Sequence, residues 1–233
     1  MLKALLAIFK QDSKLDEAFR QSLEMLEITH DMFRQAKTAL RETDSNQLDI
    51  AVYEQDKSIN KYERKVRKNV LQHLAVAGTR GLASGLTLIT IIIDIERIGD
   101  YTKNIVELAE NHPARLKAGE AEADLRRVEK AVEETFMRVR QLLEVSDQEK
   151  AEAFIKEHLW VHPLCDRRMI NYIKETDCTI SPGDAVCLAL YFRFLKRIHS
   201  HMRNIATSIY RPFHKIGFVS KKVKKSGREE PPE

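Results

Sequence analysis

The sequence predicts an all-α protein built as two tandem three-helix bundles, with six long antiparallel helices. Apolar residues recur at spacings of three and four, as in Leu15, Phe19, Leu23 and Leu26 and again in Leu125, Val128, Val132, Phe136, Val139 and Leu142. That period marks amphipathic helices, and no alternating stretch competes with it. Only 8 Gly and 6 Pro occur in 233 residues, while 43% are hydrophobic and 32% charged, the balance of a chain with few turns. Disordered, collagen-like and disulfide-stapled classes are excluded by the same numbers.

Taken in order, Met1 to Lys10 reads as a short amphipathic helix rather than a signal peptide, since it has too few apolar residues and no small-residue cleavage site. Ser13 with Asp16, Ser146 with Glu149, and Ser181 with Asp184 each put a capping oxygen three residues before an acid. Pro182 takes the first helical position, where an N–H is not needed. Stops fall at Asp44-Ser45, Gly78 to Gly81, Pro113 and Pro212. These signals predict helices near 13–43, 45–77, 83–111, 119–145, 147–176 and 181–210. They divide the chain into a first bundle at 1–115, a second at 116–212, and a basic tail at 213–233. The most apolar stretch, Leu82 to Ile93, is twelve residues long, well short of the roughly 20 that span a bilayer.

Net charge is +4, and the segment from Arg211 to Glu233 supplies all of it, with seven basic residues against three acidic ones. A neutral body argues against a dedicated nucleic-acid binder. Cys165, Cys178 and Cys187 are an odd number without framework spacing, which points to reduced thiols and a cytoplasmic setting.

An internal duplication appears at an offset of 100 residues: Arg97-Ile98 aligns with Arg197-Ile198, and Asn104-Ile105 with Asn204-Ile205. Each half therefore ends in a long helix of one pattern, and the halves are expected to pack together.

On the third helix, Ile91, Ile95, Ile98, Thr102, Ile105 and Ala109 share one face, while Glu96 and Asp100 lie on the other. Two acids at i and i+4 repel by roughly 0.2–0.5 kcal/mol in an isolated helix, a cost that a bound cation reverses. Asp56 and Asn60 on the second helix have the same spacing, so antiparallel neighbours would face two oxygen-bearing pairs across a groove. The alternative is a solvated acidic face.

The run Glu-Gln-Asp-Lys-Ser-Ile-Asn-Lys-Tyr-Glu at 54–63, with Asp-Ile-Glu-Arg-Ile-Gly-Asp-Tyr-Thr-Lys-Asn-Ile at 94–105, resembles the PhoU family. The resemblance is specific over 45–110 and extends to about residue 210 through helix count and the repeat. It implies tandem three-helix bundles with a Glu/Asp-x3-Asp motif on inner helices, where iron or zinc clusters sit. Glu96 and Asp100 match that motif, Asp56 matches its partner, Asn60 is a weaker oxygen ligand, and Asp94 is a supporting acid. In the second half the corresponding positions are Lys196 and Ser200, so a carboxylate cluster is not expected there. His158 and His162, at i and i+4, offer a zinc or nickel spacing instead, with Cys165, Asp166, His199 and His201 expected within reach. Against this, Pro163 interrupts the helix and Lys196 repels a cation; buried, hydrogen-bonded histidines are the alternative.

No phosphate loop, nucleophile elbow or Cys-x2-Cys pair is present, and Glu27 with His30 forms only one Glu-x-x-His unit where a di-iron bundle needs two. An enzyme is not expected. The resemblance implies a cytoplasmic, dimer-forming regulator of phosphate transport and phosphate signalling that docks on a membrane transporter component or a sensor histidine kinase. A role beside a sodium- or proton-coupled phosphate transporter, or a metal-binding scaffold unrelated to phosphate, are the alternatives. Lys221, Lys222, Lys224 and Lys225 would add attraction to an anionic leaflet, about 1 kcal/mol each, at the inner face of the membrane.

Overall fold

The computed structural model describes residues 13–44, 51–174 and 180–218, the side chains of Ser13 and Arg80 excepted. Seven α-helices run through them: α1 (Ser13–Glu42), α2 (Val52–Ala77), α3 (Leu82–Asn111), α4 (Glu122–Val145), α5 (Gln148–Glu157), α6 (Val161–Ile173) and α7 (Pro182–Thr207). The N-terminal segment, residues 45–50, Cys178 and the tail lysines lie outside the described residues, and with them the expected start of the second helix.

Three expected boundaries differ. Ser146 does not cap the fifth helix: it sits at φ 54°, ψ 43°, where it closes α4 by donating its N–H to Leu142. The cap is Asp147, whose carboxylate accepts from the Lys150 N–H at 3.1 Å. The helix expected over 147–176 is two helices, α5 and α6, with irregular backbone at 158–160 between them. Pro163 is the third residue of α6, where the missing N–H is one of the orphans of a helix start, so the break falls before Val161 rather than after His162. The last helix ends at Thr207, three residues early. At Ser181 the expected capping box is complete, with Ser181 Oγ accepting from the Asp184 N–H and Asp184 accepting from the Ser181 N–H.

Side-chain bonds set the helix directions. Gln35 donates to Gln55 and Asn69 to Gln21, so α1 and α2 are antiparallel. Tyr53 reaches Glu110, and Gly85 lies against Val70, so α2 and α3 are antiparallel as well. Asp94 accepts from His201 and Asn204, while His112 pairs with Asp184 at the other end, which runs α3 antiparallel to α7. The duplicated pattern meets at this contact: Ile98, Ile105, Ile198 and Ile205 are all fully buried. α3 is apolar nearly all round because it packs on α1, α2 and α7 at once. α4 packs on α1 and α7, and α6 covers α7.

Gly99 permits the closest approach beside the candidate site. A Cβ there would lie 3.3 Å from Ile59 Cδ1 and 3.7 Å from Thr29 Cγ2, so α1, α2 and α3 converge on it.

Candidate functional site

Antiparallel pairing of α2 and α3 brings the four predicted oxygen-bearing residues to one groove. Their spacings of four on each helix put successive side chains on one stripe, and the Gly99 contact holds the two stripes close. Asn60 Nδ2 donates to Asp56 Oδ2 at 3.2 Å, fixing the second-helix pair. Lys103 bridges the helices, its ammonium 3.1 Å from Asp56 Oδ1 and 3.2 Å from Asp100 Oδ1. Arg97 caps the outer side, 3.6 Å from Glu96 and 3.4 Å from Asp100.

Sequence reasoning missed two members of this row. Lys103 follows Asp100 by three residues and Glu96 by seven, a spacing that places it on the same stripe. Glu63 follows Asn60 by three, is almost buried, and is held by Arg67 at 2.6 Å. It is close enough to Glu96 to act on its charge. The row thus contains Asp56, Glu63, Glu96 and Asp100, with Lys103 inside it and Arg67 and Arg97 at its rim.

The electrostatics record an excess of negative charge. Burial pushes the Glu96 carboxyl above its ordinary range and the charge of Asp100 pushes it further, with Arg97 opposing. Burial works against the Lys103 ammonium, yet its hydrogen bonds to Asp56 and Asp100 raise its pKa. Among the described residues, no three His, Cys, Asp or Glu side chains are arranged to hold a metal ion as they stand. The Lys103 ammonium occupies the space between Asp56 and Asp100. The donor set fits a hard or borderline cation only once Lys103 has turned away.

Asp94 does not support this row. It lies on the opposite side of α3, buried, and accepts from His201 Nδ1 at 2.6 Å and Asn204 Nδ2 at 3.2 Å.

The second half is built differently. Lys196 forms an ion pair with Asp166 across α6 and α7, so the base at the acid's repeat position is neutralised within the fold. His158 and His162 are brought together, with His199 as the third member of the group: ring centroids lie 5.8 Å apart for His158 and His199 and 5.1 Å for His162 and His199. His158 Nδ1 bonds to the Phe154 carbonyl at 2.9 Å. Both nitrogens of His199, fully buried, and Nε2 of His162 have no hydrogen-bond partner. Burial, with Arg203, Lys196 and Arg197 nearby, drives the His162 pKa down to about 3, and burial carries His199 well below its ordinary value. Trp160 stacks under Arg127 at 4.1 Å and lies against the core. Cys165 and Cys187 are buried, and burial pushes both thiols up to about 12, which removes them as nucleophiles.

A separate groove of about 750 Å³ runs between α1 and α4. Within it Lys37 pairs with Glu133 and Arg41 with Glu129.

Residues 22–109 match the PhoU domain. The fold is similar to that of PhoU from Pseudomonas aeruginosa, with a TM-score of 0.73 and 21% identity, covering 84% of this chain and 95% of that one. It is equally similar, at 0.73 and 16% identity, to the phosphate transport system regulatory protein PhoU from Streptococcus pneumoniae, covering 85% of this chain and 94% of that one. No curated protein matches the sequence.

Proposed function

We propose, from the match of residues 22–109 to the PhoU domain and the likeness of the fold to two PhoU structures, that this protein is a non-enzymatic regulator of phosphate transport and phosphate-responsive signalling. It acts at the cytoplasmic face by docking on a membrane phosphate-transporter component or a sensor histidine kinase. The observation that carries this reading is the domain match over the helices that hold the acid row. Two features are consistent with it: among the described residues the thiols of Cys165 and Cys187 are buried beyond nucleophilic use, and no helix is long and apolar enough to cross a membrane. A second copy of the chain is a further proposed partner.

Deleting the gene and measuring phosphate uptake and the response to phosphate starvation tests the proposal. Altered uptake or a starvation response that no longer tracks phosphate is expected. Unchanged behaviour in both leaves a helical scaffold without connection to phosphate.

We propose in addition that Glu96, Asp100, Asp56 and Asn60 ligate iron or zinc. The excess of carboxylates over bases in the row supports this, and the Lys103 ammonium is the competitor a metal must displace. Elemental analysis after metal loading is expected to show metal in the wild type, less in Glu96→Ala and Asp100→Ala, and more in Lys103→Met. Metal content equal across all four proteins overturns the assignment.

A further inference from the structure

The tip of the α2–α3 hairpin exposes apolar side chains at the place where both helices end. Leu71 is 70% exposed, Val76 is 92% and Leu82 is 45%. Exposed aliphatic residues grouped at one end of a folded chain mark a contact surface more often than residues scattered singly. Phe213 and Phe218, 40% and 72% exposed, belong to the same end, because α7 runs antiparallel to α3 and the turn after it packs back on α3.

The charge around this tip has one sign. Residues 64–93 contain five Lys or Arg and no Asp or Glu, and residues 201–218, at the C-terminal end of α7 and in the turn after it, contain no acid either. Arg64 and Lys68 lie exposed on α2, at spacings of seven and three before Leu71. The acids closest to these two cations are already paired: Glu63 on α2 with Arg67 at 2.6 Å, and at the start of α1 Asp16 with Arg20 at 3.6 Å and Glu17 with Lys65 at 3.1 Å.

We propose that the α2–α3 hairpin tip docks on the surface of an anionic lipid bilayer, with Leu71, Val76 and Leu82 entering the headgroup region and Arg64 and Lys68 set against lipid phosphates. Apolar insertion combined with cations that meet anionic headgroups is the chemistry of an interfacial contact. Nothing here crosses the bilayer: no described helix is long and apolar enough. The proposal does not depend on the phosphate reading, and it names a surface distinct from the lysine tail.

The test is co-sedimentation of the full chain with vesicles of phosphatidylglycerol and phosphatidylcholine, against vesicles of phosphatidylcholine alone. The wild type is expected to pellet with the anionic vesicles and to lose that binding as salt rises. Leu71→Ser with Val76→Ser, and separately Arg64→Glu with Lys68→Glu, should each weaken partitioning by at least about tenfold. These side chains are exposed, so thermal unfolding of the double-serine variant should match that of the wild type, which separates lost docking from lost fold. A chain lacking residues 219–233 should retain most of its binding. A wild type that stays in the supernatant, a double-serine variant that pellets undiminished, or complete loss on removing the tail alone overturns the proposal.

Discussion

Replacing Arg41 with methionine is expected to lower the unfolding free energy by about 3–5 kcal/mol, because it strands a buried carboxylate. The Arg41 guanidinium, with a side chain only 9% exposed, donates to Glu129 Oε1 at 2.9 Å, to Glu122 Oε1 at 2.6 Å, and to the Leu116 carbonyl. Burial raises the Glu129 carboxyl above its ordinary range even with that guanidinium beside it, so the charge is costly to keep. Without Arg41, Glu129 retains chiefly the hydroxyl of Tyr191, which is itself fully buried. For a chain of this size a loss of that order corresponds to a fall in Tm of about 10 °C. Urea unfolding of the variant, followed by circular dichroism, checks the figure, and a change below about 1 kcal/mol would refute it. Pairing Arg41→Met with Glu129→Leu should recover much of the loss, since removing both charges also removes the desolvation penalty.

Acidification is expected to destabilise the fold through the buried histidines of the second half. His162 and His199 have folded-state pKa values depressed below the ordinary 6.5. Between that value and the folded one, the unfolded chain binds more protons, so their contribution to stability is full above about pH 6.5 and falls as pH drops below it. With His162 at about 3, the loss at pH 5 is about 2 kcal/mol from that residue, and His199 acts in the same direction. Their surroundings offer little relief: His158 packs against His199, while Arg203, Lys196 and Arg197 add positive charge. Glu96 and Glu129, both raised, act in the opposite sense, gaining stability as pH falls toward 4.5. The comparison therefore needs His199→Leu beside the wild type, with urea midpoints at pH 7.5, 6.0 and 5.0. The variant should show a visibly flatter decline; parallel curves would rule out the histidine origin.

The parts of the fold that follow from local chemistry were legible in the sequence. Helix periodicity, the Ser181 capping box and the offset of 100 residues depend on neighbours in the chain, and the helices, cap and buried isoleucine contact agree with them. The α5–α6 break was misplaced because proline is tolerated in the first turn of a helix, so Pro163 marks a start where it was taken for an interruption. Ser146 and Asp147 compete as adjacent capping residues, and only the left-handed backbone at Ser146 decides between them. The acid row was readable from spacing, but Lys103 was not: a lysine on a charged helix looks solvated until the facing helix supplies Asp56. Asp94 shows the same limit. It is two residues from Glu96, and only its angular position on α3 tells that its partners lie on α7.

That angular position gives α3 the character of an axle between two gears. Asp100 and Lys103 mesh with Asp56 of α2 on one side, and Asp94 meshes with His201 and Asn204 on the other. A rotation of this rod about its own axis would move both sets of side chains together.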